Sequence, residues 1–319
     1  MLNRRILRIK AFKVLYSYAE NPSMTLKEAQ AQLELSCRAT RSLYLFMLAI
    51  IPALTEEARA RIEAARHKFN PTEEEKNPNL KFVENAVAPI LMEDPDFQKA
   101  VTREKLSWEQ YDALLRKMFD SIRSKPYYER YMASPERSIS ADVKLFTRIY
   151  EEEFVDNADL EDILEDLSIF WNDDLAYALT CCCRTLEDLA AGRRWSLPPL
   201  YLSEMAGREG MDSDKRFVTD LLRAAYAGYD KYFEKIAAAV PKWDKDRLFI
   251  IDIVLIICGL AEAKTFPEIP VKVTINEYVD ISKYYSTPKS RSFVNGILDG
   301  IIQEMVASGE IVKSGRGLL

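Results

Sequence analysis

Between Leu248 and Leu260 the chain runs LFIIDIVLIICGL, thirteen residues with one charge, Asp252. A run this apolar has to be hidden from water. It is too short to cross a bilayer, which takes ~20 residues, so it reads as a helix buried at the centre of a core. A helix buried on all sides needs a shell of other helices around it. The rest of the sequence supplies candidates. Only ten glycines occur in 319 residues, against roughly 7% in an average chain, and long runs rich in Leu, Ala, Glu, Lys and Arg separate the proline-marked breaks. These features predict an all-α fold, a helical bundle.

The helices can be placed in outline. Residues 3–20 form a first helix, with Leu7, Ala11, Val14, Leu15 and Tyr18 on the core face. Arg5, Arg8, Phe12 and Tyr16 lie on the next face round, and Lys10 and Lys13 lie opposite the core as solvated residues. Asn21-Pro22-Ser23 ends this helix, and Thr25 with Glu28 offers a capping box for the next. Helical patterning continues over 25–69. Pro71 and Pro78 bracket a charged loop, and further helices follow with breaks near Pro95, Pro126 and Pro135. The segment Gly192–Pro199, GRRWSLPP, is the clearest linker. Helices resume after Asp212. Thr274 and Glu277 have capping-box spacing, and Gly309 has the position of a helix-ending glycine.

Charge and cysteine content narrow the function classes. The formal net charge is −6, but a phosphate feels the local field and not the total. Residues 149–183 hold no Lys or Arg and many acids, including Glu151 to Glu153, Asp156, Asp159, Glu161, Asp162, Glu165 and Asp166. This stretch is a solvated face or a dock for a basic partner. Cys37, Cys181, Cys182, Cys183 and Cys258 form no C-x-x-C pair, so they read as reduced core thiols in a cytoplasmic protein. The N-terminal MLNRRILRIKAFKVLYSY is basic, but Lys10 and Lys13 interrupt its apolar stretch, so no signal peptide and no membrane association are expected. His67 is the only histidine. No phosphate-binding glycine loop, metalloprotease motif or nucleophile elbow occurs. No catalytic residue, cofactor or metal site is therefore expected, and the chain is not expected to be an enzyme. A weak repeat relates Phe146–Trp171 to Phe217–Trp243, each followed by an acidic cluster.

The stretch from Ile269 to Asp299 reads IPVKVTINEYVDISKYYSTPKSRSFVNGILD. It resembles the C-terminal signature of the NusB family, with Lys272, Val273, Ile275, Asn276 and Glu277 followed at family spacing by Phe293, Val294, Asn295, Gly296, Leu298 and Asp299. RRILRIKAFKVLYSY is similar to the family's Arg-rich first helix. The resemblance covers residues 3–20 and about 212–305. It divides the chain into 1–20, first helix of a NusB-like core; 21–211, a large additional helical region; and 212–319, the C-terminal core.

The resemblance implies a function. NusB proteins bind single-stranded boxA-like RNA together with NusE, a small-subunit ribosomal protein, and join the RNA polymerase antitermination complex, notably on ribosomal RNA operons. Carried onto this sequence, the basic cluster is Arg4, Arg5 and Arg8. Lys289 and Arg291 in the basic loop are expected to contact RNA. Tyr16 and Phe293 either stack on bases or pack inside. Asn276, Glu277, Asn295 and Gly296 are expected to be structural, with Gly296 allowing close helix approach. On this reading Arg5→Glu with Arg8→Glu weakens RNA binding and leaves the fold intact. The alternative is a NusB-fold scaffold for protein partners, working mainly through the acidic helical insertion.

Overall fold

The computed structural model describes residues 1–201, 214–240 and 249–318. In chain order its α-helices are α1 (Arg4–Glu20), α2 (Leu26–Leu48), α3 (Ile50–Arg66), α4 (Glu73–Lys76), α5 (Val87–Glu93), α6 (Pro95–Arg103), α7 (Asp112–Arg123), α8 (Pro126–Ala133), α9 (Ile139–Glu153), α10 (Ala158–Leu167), α11 (Leu175–Ala190), α12 (Asp214–Ala227), α13 (Tyr229–Ala239), α14 (Ile250–Thr265), α15 (Val271–Tyr285) and α16 (Ser290–Ala307). Among the described residues there is no β-strand, only an isolated bridge between Leu2 and Tyr201. The fold is all-α, as the patterning predicts. The second half of the proposed repeat, at Trp243, lies outside the described residues.

The chain divides into two compact units. The core unit holds Met1–Cys37 and Pro199–Leu319, and the inserted unit holds Arg38–Pro198. The first boundary falls inside α2. Ala29, Leu33 and Cys37 are buried, and the Tyr226 hydroxyl donates to Met24 O at 2.8 Å. A continuous helix carries no sequence mark of where its packing partners change. The second boundary follows the predicted linker, where Trp195 is buried against Phe97 and donates to the Tyr44 hydroxyl at 3.0 Å.

In the core unit α14 is central. It packs against α1, α12, α13, α15 and α16, and every residue from Asp252 to Ala263 is buried. Close packing is set by Gly259 and not by Gly296. A Cβ on Gly259 would lie 2.7 Å from Leu298 Cδ2 and 3.3 Å from the Tyr278 ring, whereas Gly296 faces open space. Gly309 ends α16 with φ +76°, as its position predicts. The tail beyond it is built by two features. Lys313 donates to the Ala263 and Phe266 carbonyls at the end of α14, at 2.7 and 3.0 Å. Gly317 lies so close to Pro267 that a Cβ would sit 1.9 Å from its carbonyl oxygen.

The inserted unit has its own aromatic centre. Phe46 stacks on Trp108 at 4.2 Å and on Trp171 at 5.5 Å between centroids. The junction of α2 and α3 at Ala49 has a local cause. Pro52 lacks the N–H that would serve the Leu48 carbonyl. Nearby carbonyls accept from side chains: Trp108 Nε1 donates to Phe46 O at 2.8 Å, and Tyr150 OH to Met47 O at 3.0 Å. By length and composition Leu26–Arg66 could cross a membrane, yet most of its apolar window is buried within the protein. Cys181 and Cys182 are buried and Cys183 is half-buried, with burial raising all three thiols.

Three local expectations change. The loop between Pro71 and Pro78 contains α4, capped by Thr72 and Glu75. Thr274 caps nothing. Proline 270 already starts α15, so Thr274 falls within the helix and is fully buried. Lys10 is buried and not solvated.

Candidate nucleic-acid interface

The first helix starts where Asn3 Oδ1 accepts the Ile6 N–H at 3.0 Å. Its opening turns then carry Arg4, Arg5 and Arg8, and each meets a carboxylate. Arg4 pairs with Asp214 at 3.2 Å. Arg5 is exposed and makes a two-pronged pair with Glu277, both contacts at 3.0 Å, and reaches Asp280 at 3.1 Å. The hydrogen bond it donates to Glu277 is the main reason its pKa is raised.

Arg8 is different in kind. It is 4% exposed. Its Nε and Nη2 donate to Glu262 at 2.7 and 2.8 Å, and Nη1 lies 3.5 Å from Glu277. Glu262, itself fully buried, also accepts from Thr274 Oγ1 at 3.0 Å and Tyr278 OH at 3.1 Å. Burial by itself would lower the Arg8 pKa, but the hydrogen bonds and charge of Glu262 outweigh it and leave it raised. A guanidinium held this way has few donors left for a phosphate. Held in this way, Arg8 ties α1 to α14 and α15. Arg8→Glu would set a second carboxylate against buried Glu262, which should cost stability.

Beside these residues lies a cleft of about 730 Å³, wholly within the core unit. Its wall carries four guanidinium groups, from Arg4, Arg8, Arg216 and Arg316, against the carboxylates of Asp220 and Glu268. Its apolar side includes Phe217 and Phe266, whose centroids are 4.9 Å apart. Arg4 lies over the Phe217 ring at 4.9 Å and Arg8 at 5.3 Å. Exposed Arg316 has no ion pair among the described residues, and it is held in place by the Lys313 and Gly317 contacts of the tail.

A second cationic group forms around the turn between α15 and α16. Phe12 meets Tyr285 edge-on at 5.4 Å, and Lys13 Nζ lies 5.5 Å from the same ring. The second half of α1 thus borders the point where the chain enters this turn. Ser290 Oγ ties the turn together, bonded to Ser286 at 2.8 Å and Thr287 at 2.9 Å. Lys289 and Arg291 are exposed and form no ion pair among the described residues. Phe293 and Tyr16 are half-buried. Tyr284, next to the turn, is 84% exposed.

The structure therefore divides the predicted cluster. Arg4 and Tyr16 are twelve positions apart on α1, roughly 18 Å along the helix. The arginines gather at its start, and Lys13 lies toward the 286–293 turn. Sequence reasoning missed Arg216, Arg316, Phe217, Phe266 and Tyr284. The first four come from three distant parts of the chain, Arg216 and Phe217 from α12, Phe266 from the end of α14 and Arg316 from the tail, so no spacing in the sequence marks them. Tyr284 alone had a visible sign, standing beside Tyr285 just before the basic loop.

The family model that matches is the NusB family, over residues 193–303. Three curated relatives are each called transcription antitermination protein NusB. The one from Chloroherpeton thalassium is 38% identical over 105 residues, 33% of this chain and 50% of the relative. That from Methylacidiphilum infernorum is 40% identical over 91 residues, 28% of this chain and 64% of the relative. That from Salinibacter ruber is 35% identical over 107 residues, 34% of this chain and 67% of the relative. The chain thus spans between half and two thirds of the length of these relatives. No solved structure matches it. The matched residues include α12, α14 and α15, which hold Phe217, Glu262 and Glu277, so the framework that seats α1 is the matched part, and this chain belongs to the NusB family.

Proposed function

We propose that the chain is an RNA-binding transcription antitermination factor that acts with NusE on single-stranded boxA-like RNA. In this reading it joins the RNA polymerase antitermination complex, notably on ribosomal RNA operons, and works in the cytoplasm by binding and not by catalysis. The observation that carries the reading is the cleft that gathers Arg4, Arg216 and Arg316 beside Phe266 and Phe217. Single-stranded RNA is held by cations along its backbone and by flat side chains against its bases, and this cleft has the cations with half-buried Phe266 as its flat side chain. Arg5, Lys289 and Arg291 supply further backbone contacts. Tyr284, Tyr16 and Phe293 are the base-stacking candidates near the turn, with Tyr284 the most exposed of the three. Arg8 acts from beneath, by fixing α1. NusE supplies additional surface, so the pair binds more tightly than either alone.

The test is a titration of the full chain against a boxA-like oligoribonucleotide with and without NusE. Arg316→Glu and Lys289→Glu should each weaken binding with unchanged helicity. Normal affinity in both folded variants would overturn the reading.

A further inference from the structure

We infer that the inserted unit carries a docking groove for a cationic amphipathic segment of a partner protein. This inference is independent of the RNA reading, since every residue in it belongs to Arg38–Pro198. The groove is open and measures about 980 Å³. One wall is α3, where Ala49, Pro52, Ala53 and Ala60 line the trough. Ala49, Pro52 and Ala53 share one face at helical spacing and leave space beside the first turn, while Glu56, Glu57 and Arg59 line the groove further along the helix. From Ala49 to Ala60 this wall is roughly 16 Å long, about three helical turns.

The opposite side is larger and apolar. Trp108, Phe97 and Leu115 form buried parts of the lining, and Met92 projects at 54% exposure. An exposed methionine beside a trough of small residues is a surface that can repack around an inserted apolar side chain. Leu106 is brought to the groove by the turn after α6, in which Lys105 takes φ +55° and the Leu106 N–H bonds the Val101 carbonyl at 3.1 Å.

The charge around the groove selects the occupant. Six carboxylates line it, against the guanidiniums of Arg59 and Arg116. Four of the six are paired within the unit, Glu56 with Arg59, Glu57 with Arg61, Glu84 with Arg137 and Asp112 with Arg116. Exposed Glu93 and Glu109 have no ion pair among the described residues. An acidic rim on an apolar trough repels nucleic acid and acidic peptides. It fits an amphipathic helix with apolar side chains on one face and Lys or Arg beside them, the helix-in-groove mode of peptide recognition. The rim charges then set specificity and encounter rate.

The experiment uses the full chain and fluorescence anisotropy. The probes are a labelled amphipathic leucine–lysine peptide of about 14 residues, the matching leucine–glutamate peptide, and oligolysine. The leucine–lysine peptide should bind and the other two should not. Glu93→Lys with Glu109→Lys should weaken binding about tenfold or more. Ala53→Trp, which fills the trough, should abolish it. Met92→Glu at an exposed position does the same without a core change and serves if Ala53→Trp fails to fold. Charge reversal on α10 at Glu161, Asp162, Glu165 and Asp166 should leave binding unchanged. No binding of the leucine–lysine peptide would overturn the inference. So would equal binding of oligolysine, or binding lost on α10 reversal and kept in the groove variants.

Discussion

Arg8 and Glu262 show how one buried pair can decide what a basic motif is for. Glu262 accepts from Arg8, Thr274 and Tyr278, and no water is needed to satisfy it. Removing one partner leaves a buried charge uncompensated, which costs about 3–5 kcal/mol, whereas replacing both by apolar groups is often close to neutral. Glu262→Ala should therefore lower stability by about that amount in urea unfolding, and Arg8→Met with Glu262→Leu should restore much of it. If Glu262→Ala unfolds like the parent chain, the pair is not what anchors α1. Glu310 gives a second test at this scale. Hydrogen bonds from Lys235 and Lys231, both 2.9 Å, lower its pKa to about 2 from 4.5. A depressed carboxylate contributes stability above its unfolded pKa and loses it as pH falls toward the folded value. Its contribution should therefore be whole above about pH 4.5 and fade toward pH 2. An NMR titration should find the low pKa in the parent chain and a value near 4.5 in Lys231→Met with Lys235→Met. An unshifted carboxyl in the parent would contradict the pairing.

Element by element, the sequence is most legible where the signal is local. Thr25 and Glu28 cap α2 as their spacing says, with Thr25 N–H to Glu28 Oε2 at 2.7 Å and Glu28 N–H to Thr25 Oγ1 at 3.3 Å. Gly309 ends α16 in the left-handed conformation its position demands. The apolar run within Ile250–Thr265 is the buried central helix its composition requires. Thr274 has the same spacing as Thr25 and a different role, because Pro270 had already opened α15 and tertiary contact with Glu262 claims its hydroxyl. The candidate site was half legible for the same reason. Arg4, Arg5, Lys289 and Arg291 stand in recognisable motifs, but Arg216 and Arg316 join them only through folding. The tail that carries Arg316 can be tested alone. Gly317→Ala forces a Cβ toward the Pro267 carbonyl, an overpacking that costs typically 1–3 kcal/mol. It should lower the melting temperature and weaken RNA binding together. A variant as stable as the parent would mean the tail is not held as described.

At the scale of the whole molecule, the two units carry different chemistry. The core unit presents guanidiniums beside phenyl rings, and the inserted unit presents an apolar trough with an acidic rim. Net charge of −6 hides both. Cleft variants should leave peptide binding unchanged, and groove variants should leave RNA binding unchanged. The central claim is that the core unit binds single-stranded RNA through its cationic cleft. The most direct measurement is the affinity of the full chain for a boxA-like RNA across a series of salt concentrations, for the parent and for Arg316→Glu. Log affinity should fall linearly with log salt, as counterion release requires, with weaker binding and a shallower slope in the variant. Binding that is absent, or that has the same affinity and slope in the folded variant, would contradict it.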